Sequence, residues 1–330
     1  MSENSNQPHV GDDYADQFIE WVESEDDMLE FLWPKVHPNM EGRERARKAL
    51  LIALASQSDK HDLRGRIHVL LWSEVGGTGK SHLRNWAKRE IPGAAGAAPG
   101  STEAGLKGNA KGGELSGGAL RLAHPGVLAL EELEKFGKSD REALFEAMSD
   151  GQYEINKGDI NRVVPAQIRV IATANDIGKF SKPLLNRFDF VIEMEEYSEE
   201  DTIAVSDTIF ESMEAAFLDG EAEREPNIIR QYLKWIEPFE PSADEDTLEK
   251  MKLMKNHLIR QEGLSGDIRG KEAWFRVPYT IARLNRRNLE PRDFIQAVEL
   301  LHPNVVTEQV RSELEALAVG DFEAAMTGGL

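Results

Sequence analysis

The chain has 330 residues, of which 59 are acidic and 39 basic, giving a formal net charge of −20, and it contains no cysteine. The lack of cysteine excludes disulfides, iron–sulfur clusters and Cys-ligated zinc, and it is typical of a reducing compartment. The acidic balance excludes a basic surface spread over the whole chain, so any contact with nucleic acid has to be local.

Apolar residues nowhere form a run of about 18, so we expect no membrane contact through a spanning helix. The first residues lack the apolar centre of a secretory signal, and residues 1–16 have the polar composition of a disordered tail. We therefore expect a soluble, cytoplasmic protein. Its length predicts one large α/β domain and a smaller second one.

The first half of the chain predicts helices followed by a strand and a glycine-rich loop. Residues 17–58 favour helices broken near Pro34 and Pro38, and residues 43–55 have the spacing of an amphipathic helix. Residues 67–72 (IHVLLW) predict a buried strand, and the segment after Ser81 favours a helix. A strand, a glycine loop and a helix in that order are the context of a phosphate-binding loop.

The loop sequence GGTGKS predicts a nucleotide site, in preference to a chance glycine-rich turn. Backbone N–H groups of such a loop and the following helix N-terminus bind phosphate oxygens. Lys80 would contact the β- and γ-phosphates, and Ser81 would bind Mg²⁺. Glu74 stands where the usual pattern begins with glycine; pointing inward it would repel phosphates, whereas pointing to solvent it would leave Mg-ATP binding intact. The predicted nucleotide-binding residues are Gly76, Gly77, Thr78, Gly79, Lys80, Ser81 and His82.

Further along the chain, strand and helix patterns alternate. Residues 91–120 are rich in glycine and alanine, and we expect them to lack regular structure. Ser139 is the expected N-cap of a helix that stops at Gly151. The other predicted elements are strands at 127–130, 168–173 and 188–194, a helix at 139–151 and a hairpin at 152–165.

This alternation predicts an α/β fold, with a parallel sheet and helices on both faces. From about residue 198 the pattern is helical, which predicts a smaller all-helical domain after a boundary near residue 197. The predicted division is a tail at 1–16, an ATP-binding domain with preceding helices at 17–197, a helical lid at 198–302 and a helical tail at 303–330.

Four further residues carry chemistry suited to phosphoryl transfer. Glu131 and Glu132 follow a predicted strand, where one carboxylate can approach Mg²⁺ and the other can orient the attacking water. An acidic strand end facing solvent is an equal alternative for this pair. Asn175 ends the next sheet strand, which we expect to lie between the first two, and its amide can polarise the phosphate or the water. Arg187, if exposed, can reach a neighbouring subunit's nucleotide as an arginine finger; in isolation each of these two is more often an ordinary surface residue.

The order of these motifs resembles the AAA+ core of the minichromosome maintenance (MCM) replicative helicases over about residues 29–302. LRGRIHVLLWSEVGGTGKSHL is similar to the family's RGDIHxLLxGDPGxAKSxLL, and GVLALEELEKF to the segment around its IDEFDKM. LLNRFDF is similar to its LLSRFDL, which carries the arginine finger, and GDIRGKEAWFR to the segment that bears its sensor-2 arginine. The resemblance implies an AAA+ P-loop NTPase with a helical lid.

Roles for particular residues follow from the resemblance. It implies that Asn175 is the sensor-1 residue and that Arg269 is the sensor-2 arginine. The hairpin at 152–165 would project into the central channel of a hexamer, with Lys157 contacting DNA at its tip. Lys107 and Lys111 would lie on a second channel insert at about 105–116. A plain turn lysine is the alternative for Lys157.

The resemblance also has departures. Glu131 replaces an aspartate, Glu74 and Val75 replace Gly-Asp, and the chain resembles a reduced form without the family's N-terminal DNA-binding, zinc-bearing region or its C-terminal winged helix. We expect an ATP- and Mg²⁺-dependent ATPase that acts as a homo-oligomeric ring, a hexamer, on single-stranded DNA as a translocase or helicase. A separate protein could supply the missing N-terminal region. The alternatives are an AAA+ remodeller or loader of a protein partner, and a nucleotide-bound structural subunit with little turnover.

Overall fold

A computed structural model describes residues 14–59, 64–91, 93–98, 100, 103–111, 114–157, 160–218, 227–260 and 272–321. Within these ranges, the side chains of residues 103–104, 109–111, 114–117, 139, 156–157, 160–161 and 212–218 lie outside the description.

The helices are α1 (Ala15–Ser24), α2 (Met28–Leu32), α3 (Glu44–Ala55), α4 (Lys80–Glu90), α5 (Glu103–Lys107), α6 (Ala119–Leu122), α7 (Lys138–Asp150), α8 (Lys182–Leu185), α9 (Glu199–Leu218), α10 (Ile228–Ile236), α11 (Glu245–Ile259), α12 (Ala273–Leu284), α13 (Pro291–Leu301) and α14 (Glu308–Val319). The strands are β1 (Val69–Trp72), β2 (Ala95–Ala97), β3 (Gly108–Lys111), β4 (Glu114–Gly117), β5 (Val127–Leu130), β6 (Gln152–Lys157), β7 (Ile160–Pro165), β8 (Arg169–Ala174) and β9 (Phe190–Glu193).

Five parallel strands form the central sheet in the order β2-β5-β8-β1-β9. The prediction that the strand before Asn175 lies between the first two predicted strands is confirmed, because β8 separates β1 from β5. Trp72 pairs with Ala174, and Leu130 pairs with Ala172. The carboxyl ends of β1, β5 and β8 therefore meet at one edge of the sheet, which we call the carboxyl edge.

Successive strand residues contribute to two different hydrophobic cores. Val69 and Leu71 of β1 are buried in a core shared with α3 and α4, whereas Leu70 is buried in a second core shared with α7. Because side chains alternate across a strand, this division places helices on both faces of the sheet. The predicted α/β fold with a parallel sheet flanked by helices is confirmed.

Helices α11 to α14 pack around a third core that includes Met254, Trp274, Phe294 and Leu314. Helix α12 also joins this helical part to α3, through residues such as Val277 and Ile281 in the first core. The predicted domain limits stay a prediction. Among the helices of the described ranges, none is both long and apolar enough to cross a membrane.

Two local predictions were wrong. Residues 91–120 contain α5, α6 and three short strands, because β2 pairs with β5 and because Leu106 and Leu120 are buried in the second core. Ser139 is not the N-cap of α7: the helix begins at Lys138 after Gly137, whose N–H donates to the Asp140 carboxylate over 3.3 Å. A carboxylate at the third helical position that caps this N–H replaces the expected serine.

Candidate nucleotide site at the carboxyl edge of the sheet

The glycine-rich loop joins β1 to α4, and its shape requires glycine at two positions. Gly77 (φ 75°) and Gly79 (φ 89°) adopt the left-handed backbone region that disfavours other residues. Gly79 is also closely approached: a Cβ there would lie 3.1 Å from both Met40 Cε and the Tyr197 hydroxyl. Met40 and Tyr197 thus pack closely against the loop at Gly79.

Lys80 and Thr78 present polar atoms that suit a phosphate chain. The Lys80 ammonium donates to the carbonyl oxygens of Ser73 (2.9 Å) and Val75 (3.1 Å). Burial lowers the pKa of Lys80, although the charge of Glu134 acts in the opposite direction. The buried Thr78 hydroxyl has no hydrogen-bond partner among the described residues. The Lys80 ammonium is bonded only to carbonyl oxygens, and the Thr78 hydroxyl is unpartnered. Both groups are therefore suited to bind an anion in the loop.

Glu74 is exposed. Its carboxylate is therefore screened by solvent and not buried against the loop. Ser81 and His82 are exposed at the first turn of α4, and the His82 ring lies 6.1 Å from that of His37. The loop residues predicted to bind nucleotide thus form one continuous turn whose opening stays accessible.

Glu131 follows β5 at the carboxyl edge and is held by an arginine from α4. Its Oε2 lies 3.0 Å from Arg84 Nη1, and its backbone N–H donates to Ala97 O over 3.1 Å. Arg84 is four residues after Lys80 on the same helix, so the two side chains are neighbours on one helix face. The first carboxylate of the acidic pair is thereby tied to the helix that carries the phosphate loop.

Glu132 is the residue on which the other predicted groups converge. Its Oε1 accepts hydrogen bonds from Asn175 Nδ2 (3.1 Å) and from Lys135 Nζ (2.6 Å), and its backbone N–H donates to Thr173 Oγ1 (3.2 Å). Its φ of 45° is uncommon for a residue other than glycine. Non-glycine residues in this backbone region cluster at functional sites.

Four residues that shape this edge were not predicted from the sequence: Arg84, Thr173, Glu134 and Lys135. Glu134 is buried in the turn after the acidic pair, where its charge acts on Lys80. The run EELEK offered a signal for Glu134 and Lys135, since both follow the carboxylates within one turn. No sequence signal pointed to Thr173, whose contact depends on the pairing of β5 with β8.

A magnesium ion at this edge would need more ligands than the chain supplies. Among the described residues, no group of three or more His, Asp or Glu side chains is arranged to hold a metal ion. Mg²⁺ keeps several waters and uses one or two protein ligands together with substrate phosphates. Ser81 and Glu131 stay the predicted protein ligands, with nucleotide and water supplying the others, although the Glu131 carboxylate is paired with Arg84 in this structure.

Arg187 lies at the opposite edge of the sheet. It precedes β9, whose first residue Phe190 pairs with Val69 at the start of β1, and its carbonyl accepts from Arg64 Nη1 over 3.3 Å. At about 3.3 Å per residue, the four residues of β1 separate this edge from the phosphate loop by more than 10 Å. Arg187 is half-buried, with its guanidinium 4.4 Å from the centre of the Phe145 ring, and its role as an arginine finger stays a prediction.

Asp189 links the loop that carries Arg187 to the helical part. Its buried carboxylate contacts Arg64 (3.1 Å) and Arg276 of α12 (2.5 Å), and it accepts from the His68 N–H (2.9 Å). Burial alone would raise the pKa of Asp189, but Arg276 and Arg64 hold it well below its ordinary value. The position of Arg187 is therefore tied to the packing of α12.

The predicted channel elements contact each other. The β6–β7 hairpin is formed, with Lys157 opposite Ile160, and Lys111 lies opposite Glu114 in the β3–β4 pair. Lys107 Nζ donates to Glu154 O over 3.3 Å. The Tyr153 hydroxyl donates to Lys107 O over 2.8 Å, which ties α5 to β6. The side chains of Lys157 and Lys111, the hairpin tip and Arg269 lie outside the described residues.

Comparison with known proteins supports one family. Residues 15–213 match the family model of the MCM P-loop domain. The chain is 25% identical to DNA replication licensing factor mcm5 of Xenopus tropicalis, over 92% of this chain and 45% of that protein. It is 26% identical to DNA replication licensing factor Mcm2 of Drosophila melanogaster, over 85% and 36% respectively. The chain thus spans less than half the length of these curated relatives.

Proposed function

The chain belongs to the MCM family through its P-loop domain, and from that premise we propose that it binds and hydrolyses ATP as an AAA+ motor acting on DNA. The observation that carries this proposal is the convergence of the phosphate loop, Glu132 and Asn175 on one edge of the sheet. Glu132 and Asn175 are 43 residues apart in the chain, yet their side chains are joined by a hydrogen bond.

Each residue has a proposed part in hydrolysis. Mg-ATP, when bound, supplies the transferable phosphoryl group together with the metal charge that offsets its oxygens. Lys80 would hold the β- and γ-phosphates, while Ser81 and Glu131 would hold the metal. Glu132 orients the attacking water and takes up its proton, and Asn175 fixes the carboxylate in position. Such positioning is the main task of the protein in phosphoryl transfer.

Arg187 lies at the edge of the sheet opposite the phosphate loop, and this position favours nucleotide sites shared between subunits. Within one chain, the length of strand β1 separates Arg187 from the phosphate loop, so Arg187 would complete a neighbouring subunit's site. This arrangement requires a ring or another head-to-tail assembly. Arg269 is proposed to act in the same way, as the resemblance implies.

The DNA contacts are proposed for the two hairpins β3–β4 and β6–β7. Lys107, Lys111 and Lys157 lie on or beside them, and repetition around a ring would concentrate positive charge on one axis of an acidic protein. Nearby surface carboxylates are screened over about 10 Å at moderate salt. A local lysine cluster can therefore attract DNA phosphates despite the overall charge.

The test is ATP turnover with and without single-stranded DNA, measured beside the mass of the assembly in ATP. A DNA-stimulated rate in a multimeric assembly is the expected result. Turnover that ignores DNA but rises with a co-purified protein would favour the remodeller alternative. Nucleotide binding without turnover would favour a structural subunit.

A further inference from the structure

A cavity of about 360 Å³ lies at the other end of the sheet from the phosphate loop, between the sheet and the helices α10 and α12. Arg169, the first residue of β8, lines it, whereas Asn175 follows the last residue of that strand. Six residues at about 3.3 Å each place the two ends of β8 about 20 Å apart. The cavity is therefore separate from the nucleotide site.

The polar lining of this cavity is dominated by cations. Arg169, Arg230, Lys234 and Arg283 line it, against the carboxylates of Glu237 and Glu240, which are exposed. Arg169 and Arg283 are held by backbone carbonyls: Arg169 donates to Ser56 O, and Arg283 donates to Ala55 O (2.7 Å) and Phe239 O (3.1 Å). The hydrogen bonds that these two guanidinium groups donate within the described residues go to Ser56 and to backbone carbonyls, and not to carboxylates.

Arg230 lacks a side-chain partner among the described residues. Its side chain forms no hydrogen bond or ion pair with a described residue, and its Nε is shielded from solvent. A buried guanidinium donor that lacks an acceptor costs stability unless a ligand supplies one. Burial, followed by the charge of Arg283, lowers the pKa of Arg169 to about 10, although the carboxylates of Glu237 and Asp59 act in the opposite direction.

We propose that this cavity is a binding site for a small phosphate-bearing anion, held by Arg230 and Arg169 with Lys234 at the rim. Guanidinium groups match phosphate geometry through paired N–H donors. The lining also includes apolar residues such as Leu54, Ile91 and Leu233, together with the polar Ser56. The volume falls in the range of small-molecule sites, about 300–1,000 Å³.

The lining joins the sheet to the helical part. Ser56 and Arg169 belong to the α/β part, whereas Arg230 and Arg283 belong to α10 and α12. An anion bound between them would offset the repulsion of these cations and hold the two parts together. Occupancy should therefore raise the melting temperature, independently of any ATP hydrolysis.

The experiment uses the full chain carrying Lys80→Ala, so that the phosphate loop no longer competes for the probe. Calorimetric titration with pyrophosphate is compared in that chain, in the same chain with Arg230→Gln, and in the same chain with Arg260→Gln. Arg260 is an exposed residue outside the cavity, and its change removes the same charge. We expect Arg230→Gln to weaken binding about tenfold or more and Arg260→Gln to leave it within about twofold.

Parallel titrations with inorganic phosphate and with ADP identify the source of the phosphate group. Binding of ADP that is tighter than that of pyrophosphate and depends on Arg230 means a second nucleotide site. If phosphate or pyrophosphate binds and ADP does not, the cavity is a site for the free anion. The proposal is overturned if no probe binds, or if Arg230→Gln binds as tightly as Arg260→Gln while both variants melt cooperatively.

Discussion

Asn175 Nδ2 lies 3.1 Å from Glu132 Oε1 and donates a hydrogen bond to it across the ends of β8 and β5. The same carboxylate oxygen is bonded by Lys135, an exposed residue in the turn that follows. The contact with Asn175 is partly buried at the end of the sheet, whereas the contact with Lys135 is exposed. Loss of the two contacts should therefore affect catalysis differently.

Replacing Asn175 with alanine should lower the rate of ATP hydrolysis about tenfold or more, because a partly buried hydrogen bond to a charged group is worth about 1.5–3 kcal/mol. Lys135→Ala should change the rate by less than about threefold, because exposed ion pairs contribute little. Steady-state turnover at saturating ATP, with nucleotide affinity measured in parallel, separates the two. Equal effects of both variants would contradict the assignment of Asn175.

Mixing two inactive variants tests the shared site. Lys80→Ala lacks the phosphate-loop cation, and Arg187→Ala lacks the proposed finger, whose loss should reduce turnover on the order of 10³-fold. In an assembly that contains both, some sites combine an intact Lys80 with an intact Arg187 from the neighbour. Turnover should therefore reappear on mixing, as read from phosphate release across mixing ratios. A mixture as inactive as its components, or a fully active Arg187→Ala chain, would refute the arrangement in trans.

Asp189→Asn should lower the free energy of unfolding by about 3–5 kcal/mol near neutral pH, because it leaves the buried Arg276 and Arg64 without their shared carboxylate. The pKa of Asp189 is held below its ordinary value of 3.8 by these arginines, so its contribution is present above about pH 4 and declines as the pH falls below that value. Urea unfolding at several pH values should show the gap between parent and variant closing in acid.

The matched control is Asp246→Asn, which removes a carboxylate that is 72% exposed and paired with Lys250. Its cost should stay below about 1 kcal/mol at every pH. If Asp189→Asn lowers the free energy of unfolding equally little, or if its effect grows as the pH falls, the ion pairs of Asp189 with Arg64 and Arg276 do not hold the sheet and α12 together.

Lys157→Ala should weaken binding of single-stranded DNA and reduce the steepness of its salt dependence, because each phosphate contact contributes about 0.7 to the log–log slope. Lys138→Ala removes an 89% exposed lysine at the start of α7 and should change neither quantity. Fluorescence anisotropy over a salt series provides both numbers. If the two variants have the same slope, the hairpin is not a DNA contact.

Lys107 has a different expected behaviour. Its ammonium is already bonded to Glu154 O, and its carbonyl accepts from Tyr153. Lys107→Ala should therefore loosen the packing of α5 on the hairpin as well as remove a charge.

The spacing of particular residues accounts for what could be predicted from the sequence. Glycine at 77 and 79 with Lys80 specifies a phosphate loop by local backbone geometry, and Glu132 and Asn175 each end an apolar strand, so sheet formation brings them together. The ion pair of Arg84 with Glu131 and the hydrogen bond from the Glu132 N–H to Thr173 could not be predicted. Both contacts depend on how neighbouring elements are aligned. Residues 91–120 were misread because glycine and alanine disfavour isolated strands, whereas pairing with β5 and burial of Leu106 stabilise them here.

Hydrolysis of ATP at the carboxyl edge of the sheet is tested most directly by comparing ATP binding and turnover in the parent, Lys80→Ala and Glu132→Gln chains. We expect the parent to turn over ATP, Lys80→Ala to lose tight binding together with turnover, and Glu132→Gln to keep binding while turnover falls about a hundredfold or more. Turnover by Glu132→Gln at the parental rate, or a parent that binds ATP without hydrolysing it, would contradict this account.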